Sequence, residues 1–355
     1  MQHPWRPFLA AAAALLITAA PALACGGLIG PNGAVNLLRT TTFAGYHDGV
    51  EHYVTAFEFA GGGGAFGSIT PLPGIPTSVE RGGDWTLQRL VRETDPVPEE
   101  LAFRALSAAD AGGEAEVILE TTIDALDITV LKGGGDEVGL WAKNHGFRLP
   151  PDAPEVLDFY ADRSPIFMAA AFDADAAAAR GQQVGDGTPV HVTIPTDNPW
   201  VPLRILGLGK QDAETVQADV YLLTDERPAM LPNPGAFLES DGLQLDHSAA
   251  ATESLLADLR SDAGMEWVPD SAWLTKIVID ADAGDLNFDL AIDASGAGRP
   301  SPVDAGYAPF TENPAPRPPV ALYLLFAALV VVLLPLAIVR VAQGGPMSGP
   351  PAAAA

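Results

Sequence analysis

Cysteine is almost missing from this chain: Cys25 is the single one in 355 residues. No intrachain disulfide can form, so a folded domain must be held by its core and its polar contacts. Cations are scarce too, with 19 Lys plus Arg (four of them lysine) against 45 Asp plus Glu, for a net charge of −26. Each phosphate contact needs a cation, so nucleic acid and anionic membrane surfaces are excluded as binding partners. Reaction signatures are absent as well. There is no G-x-S-x-G elbow, no H-E-x-x-H, no Walker glycine loop, no C-x-x-C, and no S-x-x-K with K-T-G. These absences exclude the chemistries built on such motifs but leave open catalysis by residues far apart in sequence. No LPxTG-like sorting signal stands before the C-terminal apolar run, which argues against covalent transfer to a cell wall.

Two apolar segments bracket what remains. Residues 1–24 run from the basic Arg6 through Phe8 to Ala20 and end on Ala22 and Ala24, the small-residue pattern of a signal-peptide cleavage site. Cys25 then follows the cut, although Leu23 lies two residues before it where a lipoprotein pattern wants three. Residues 320–339, VALYLLFAALVVVLLPLAIV, carry no charge and match the twenty or so residues that span hydrocarbon. A transmembrane helix is predicted there. Arg317 and Arg340 flank it evenly, so orientation rests on the signal peptide. The expected organisation is a 1–24 signal peptide, a 25–293 ectodomain, a Gly/Pro-rich stalk over 294–319, the 320–339 helix and a short cytoplasmic tail over 340–355. That places a single-pass protein in the cytoplasmic membrane with its N-terminal domain outside. Between 25 and 316 the balance is 16 basic against 45 acidic residues, or −29.

The ectodomain reads as a strand-rich α+β unit with an N-terminal antiparallel hairpin and a few short helices. Leu37 to His47 and Val50 to Phe59 flank Asp48-Gly49, a strong two-residue turn signal, and the register pairs Thr42 with Thr55 and Arg39 with Glu58. Ala65 to Thr70 is a third strand, taken as an edge because of the prolines that follow. Helices are expected over Trp85 to Arg92, Asp136 to His145, Asp152 to Tyr160 with a capping box on Glu155, and from Ser248 to Arg260. Strands are expected in Ala115 to Leu131, Ile166 to Phe172, Val190 to Ile194, Leu203 to Leu208, Thr215 to Leu223, Trp273 to Ile279 and Leu286 to Ile292. The low-complexity DADAAAARGQQVGDG reads as an exposed hairpin loop, and a subdomain boundary is placed near 95–114.

Two residue groups invite a cation. His47 and His52 share a face of the hairpin, with Asp48 in the turn as the nearest third ligand. Asp280, Asp282 and Asp285 alternate as in a calcium loop, but the fifth, sixth and twelfth positions do not fit an EF-hand, and a polar turn explains them equally. His145 reads as a helix C-cap, His191 as a solvent-facing strand residue, and Trp200 with Arg204 as core-margin packing.

The combination ACGGLIGPNG, RTTTFAGYHDGVEHYVTAFEFAG, FGSITPLPGIPTSVERGGDWTLQRLVRET, LDITVLKGG, LWAKNHGFRLPPDAPEVLDFYA and VTIPTDNPWVPLRILGLG resembles the bacterial family catalogued as domain of unknown function 2330, from about Cys25 to about Asp225. The resemblance implies export and a C-terminal membrane span and brings no reaction with it. Where some relatives carry a further cysteine, this chain has Leu28, Ile29 and Gly30, which weakens a disulfide or metal role for Cys25. The expectation is therefore a membrane-anchored binding or structural module without a cofactor, touching the membrane through 320–339 and an envelope component or protein through its ectodomain. The alternatives are a metal-dependent envelope hydrolase using His47 and His52, and a surface domain stabilised by a divalent cation.

Overall fold

The computed structural model describes residues 22–23, 27–30, 33–34, 39–58, 66–95, 117–182, 187–234, 242–296 and 298–307. The 320–339 segment, the 340–355 tail and most of the 95–114 boundary lie outside them, and no helix among the described residues is long and apolar enough to cross a membrane. The described residues belong to one compact unit ending at Tyr307.

Among the described residues seventeen strands form three sheets. The eight-stranded sheet contains β1 (Ala22–Leu23), β4 (Arg39–His47), β5 (Val50–Glu58), β7 (Ser78–Arg81), β11 (Gly187–Pro195), β13 (Thr215–Thr224), β15 (Leu243–Ala250) and β16 (Trp273–Asp282). Its order is β15-β16-β13-β4-β5-β11-β7, with β1 beside β4, and β4 runs parallel to both β1 and β13. The six-stranded sheet is ordered β3-β2-β6-β10-β9-β8, from β2 (Gly27–Gly30), β3 (Gly33–Ala34), β6 (Phe66–Leu72), β8 (Val117–Ile123), β9 (Leu126–Lys132) and β10 (Ile166–Phe172). A small sheet joins β12 (Trp200–Val201) and β14 (Ala229–Leu231) to either side of β17 (Leu290–Asp293).

Alternation of side chains sorts these strands into layers. Val216, Ala218, Val220 and Leu222 of β13 share one core with Ile166, Met168, Ala170 and Phe172 of β10, so the two large sheets face each other. The opposite side of β10, Phe167 and Ala169, packs on α2 (Gly135–Asn144) and α3 (Ala153–Ala161). The opposite side of β13, Tyr221 and Leu223, packs with α1 (Thr86–Thr94) and α5 (Glu253–Arg260). The result is helix, sheet, sheet, helix. Strands buried on both faces read as continuous apolar runs, as IFMAAAF does in β10.

The strand-rich α+β class holds, and so does the hairpin. β4 and β5 pair from Thr42–Thr55 to His47–Val50, with positive φ at both Asp48 and Gly49. The side chains of Arg39 and Glu58 lie outside the described residues. Several local expectations change. Ala115 to Leu131 is two strands around an Asp124-Ala125 turn. β6 is interior to its sheet; Pro71 fits because β2 pairs only with Gly67 to Ile69. Arg204–Gly207 is a 3-10 turn and no strand. The low-complexity stretch holds the short helix α4 (Ala174–Ala179), capped by Asp173, and passes between two sheets. Ser248 is in β15, while Thr252 caps α5. The expected capping box of α3 is replaced by longer-range bonds: Asp152 accepts from the Gly209 amide and Glu155 pairs with Arg204. β16 and β17 lie in different sheets. Finally, 294–307, read from composition as the start of a stalk, packs on the domain, with Ala294 and Ala305 buried.

One contact ties α1 to α5. The first turn of α1 has no cap of its own, and the buried Asp262 carboxylate accepts from the Trp85 amide (3.2 Å), the Thr86 amide (2.8 Å) and the Thr86 hydroxyl (2.7 Å). Asp262→Ala is expected to cost about 1–3 kcal/mol in urea denaturation and to speed amide exchange at Trp85 and Thr86. A change below about 0.5 kcal/mol would show that the cap is dispensable.

Candidate functional site

The two histidines of the hairpin take different partners. His47 stays at the half-exposed tip, its Nδ1 2.7 Å from Asp225 and its Nε2 3.4 Å from Asp48. His52 turns instead to His191, with His52 Nδ1 3.0 Å from His191 Nε2, and its ring stacks on Trp267 at 3.9 Å between centroids and 5° between planes. His191 is not solvent-facing; the helix layer covers its side of the sheet and it is buried. Asp280 lies on β16 within reach of Gln217, and Asp282 and Asp285 flank a 3-10 turn. Among the described residues no three His, Cys, Asp or Glu side chains form a group able to hold a metal. His145 does close its helix, with Nδ1 2.9 Å from the Trp141 carbonyl, and Trp200 is packed at 3 % exposure.

A cleft of about 330 Å³ lies elsewhere, at the edge of the small sheet. Tyr46 of β4 contributes one side and the Asp197-Asn198-Pro199 turn after β11 the next. Ala291 to Ser295, from β17 onward, form the back, and Arg299, Pro300, Ser301 and Asp304 close the rim. Tyr46 donates to the Thr196 carbonyl at 2.9 Å, and the Ile292 amide donates to the Pro199 carbonyl at 3.0 Å, which fixes the first three segments together. The rim can approach because position 298 is glycine: a Cβ there would fall 1.6 Å from an Asp293 carboxylate oxygen.

Behind the rim stands a buried polar hub. Asp289, fully buried, accepts from the Tyr160 hydroxyl (2.9 Å), the Leu203 amide (2.7 Å) and the Arg204 amide (3.1 Å), and pairs with Arg163. Arg163 in turn donates to the Asp304 carbonyl at 2.6 Å and lies over Phe159 (4.4 Å) and Trp200 (4.8 Å). The Asp289 amide donates to the Ala305 carbonyl at 2.9 Å. Burial pushes the Asp289 carboxyl above the usual range, opposed by Arg163 and the two amides. The hub thus holds β17 and the 301–307 turn, two walls of the cleft, to α3.

Next to Tyr46 across the strand pair sits Glu51, fully buried between the sheets with neither carboxyl oxygen hydrogen-bonded. Desolvation pushes its pKa up to about 8; the Trp200 amide pulls the other way without closing a bond. Tyr46 is also raised, by burial first and then by Asp197, Glu51, Asp225 and Asp293, so the cleft is electronegative. On the far face of β5, burial and then His191 and His47 lower His52 to about 3, and burial lowers His191 to about 4 against the pull of Glu266.

The cleft was not legible from spacing, because its walls come from four separated segments. Gly, Ser and Pro in DASGAGRPSP pointed to a stalk, when they serve a tight rim. A family model described as "Uncharacterized protein conserved in bacteria (DUF2330)" matches residues 19–234, which includes the Tyr46 and Asp197 walls and stops short of the other two. No curated protein matches the sequence. Solved structures of baculovirus P35 are similar to it. A mutated P35 after caspase cleavage gives a TM-score of 0.39 at 10 % identity, covering 73 % of this chain and 98 % of that one. A second such structure gives 0.38 at 11 %, over 72 % and 100 %. At that level the likeness decides nothing about function.

Two outcomes follow. Glu51 has a raised folded pKa, so its contribution declines as pH rises from about 4.5 through about 8; the two histidines have lowered ones, so theirs is lost as pH falls below about 6.5 toward about 4 and 3. Urea midpoints should peak between these limbs, with Glu51→Gln gaining roughly 3 kcal/mol more at pH 7 than at pH 4 and His191→Gln flattening the acid limb. A parallel pH profile in both variants would contradict this. Asp289→Asn should cost about 3–5 kcal/mol, since it leaves Arg163 buried without its counter-charge, and the same denaturation measurement checks it.

Proposed function

The chain belongs to the DUF2330 family of uncharacterized bacterial proteins, and from that premise we propose that it is a single-pass membrane protein displaying residues 25–307 outside the cytoplasmic membrane as a binding module. The cleft is its ligand site. The observation that carries this reading is the cleft itself: a polar concavity of about 330 Å³ whose walls are cross-braced by main-chain bonds and by the Asp289 hub. Sites with pre-set walls lose less freedom on binding. Support for display comes from the signal-like 1–24 stretch and the uncharged 320–339 run. The −29 balance of residues 25–316 keeps the domain off an anionic bilayer surface.

The hydrolase and calcium readings have less behind them. His47 and His52 are engaged with different partners, and neither proposed ligand set makes a group of three among the described residues. The His52–His191 pair is buried, with Trp267 stacked on His52.

Protease treatment of intact spheroplasts tests the topology. The expected outcome is digestion or release of the domain with a short protected C-terminal fragment left in carbonate-washed membranes. A domain that stays intact until the membrane is broken, or a chain extracted by carbonate, would contradict it.

A further inference from the structure

The cleft brings opposite charges together without pairing them. Arg299 makes no ion pair among the described residues, although Asp197, Asp293 and Asp304 line the same concavity. In a chain this short of cations most interior arginines are committed, as Arg81, Arg89, Arg163 and Arg204 are. A free guanidinium facing a cleft offers a planar two-donor fork that matches one carboxylate. Asp293, in the same lining, uses Oδ1 for the Ser295 amide (3.0 Å) and hydroxyl (2.5 Å), which fixes the group, while Oδ2 lies against Gly298 and takes no hydrogen bond among the described residues. Asp197 lines the cleft and takes no side-chain hydrogen bond among the described residues.

Three carboxylates against one guanidinium favour a ligand with one negative and more than one positive group. Phosphates and dicarboxylates meet net repulsion. Pro199, Ile292 and Pro300 give an apolar strip for an aliphatic stem between the charged ends. The volume is at the small end for ligand pockets. From these features we propose that the cleft binds a basic amino acid, its α-carboxylate on Arg299 and its ammonium groups on Asp197 and Asp293. This rests on the reading of the cleft as the ligand site. The raised Tyr46 phenol reports the same negative potential from the cleft wall.

Calorimetric titration of the full-length chain in neutral detergent tests it, with L-lysine as the probe and n-butylamine, L-glutamate and glucose beside it. Lysine should bind saturably at millimolar concentration or below, with glutamate at least about tenfold weaker. Arg299→Gln should weaken lysine about tenfold while leaving n-butylamine unchanged, and Asp197→Asn should weaken both. Both positions are outside the hydrogen-bonded framework, and an unchanged melting temperature confirms folding of each variant. Lysine binding that ignores both substitutions overturns the proposal. If glutamate or glucose binds with sensitivity to Asp197→Asn and lysine does not, the ligand class falls and the cleft stands. If none of the four binds, the class and the reading of the cleft as a ligand site both fall.

Discussion

Asp289 sets the condition on which the lower half of the molecule depends. A carboxylate removed from water is costly unless its oxygens are matched by donors. Here a hydroxyl, two amides and a guanidinium supply them from two separate places in the chain: Tyr160 and Arg163 at the end of α3, Leu203 and Arg204 at the start of the 3-10 turn. Satisfying one group therefore fixes three backbone segments at once, its own included. The Tyr160 hydroxyl extends the same net by accepting from the Ile205 amide at 2.8 Å. With no disulfide possible, this buried network and the three apolar layers carry what a crosslink would otherwise carry.

Charge is distributed with a similar logic. The sequence has few cations, and most of those inside the fold neutralise specific carboxylates, such as Arg81 on Asp124 in the turn of the opposing sheet. β5 carries ionisable groups on both faces, Glu51 toward the other sheet and His52 toward the helices, and desolvation holds both neutral near pH 6. At the cleft Arg299 shares one lining with Asp197, Asp293 and Asp304 and forms no ion pair among the described residues. A binding module needs such unspent groups at its surface, and the interior leaves them there.

Local signals were readable where one physical cause dominates. Asp48-Gly49 between β-branched runs gave the hairpin and its register, and the apolar run of β10 marked its strand to the residue. The helices of 86–94 and 135–144 followed from spacing and terminal charges. Signals failed where the decisive partner is remote. Alternation placed His191 opposite Val190 and Val192, but could not show that His52 and Gly264, in the loop after α5, pack against that face. Leu203 to Leu208 is apolar enough for a strand, yet its amides turn toward Asp289 and Tyr160, which favours a 3-10 turn. The parallel β4–β13 pairing joins segments with no shared local pattern. The cleft has the same origin: Tyr46, Asp197, Asp293 and Arg299 meet only once the sheets are assembled.

The central claim is that the cleft walls are set before any ligand arrives, because the hub anchors them. Native-state hydrogen exchange of the ligand-free protein tests this at the amides of Asp289 and Ile292, which donate to the Ala305 and Pro199 carbonyls across the walls, and of Ala305 and Tyr307, which close the 301–307 turn. The account predicts protection within about tenfold of strands β10 and β13. Exchange at those four amides approaching unfolded-chain rates, while β10 and β13 remain protected, would contradict it.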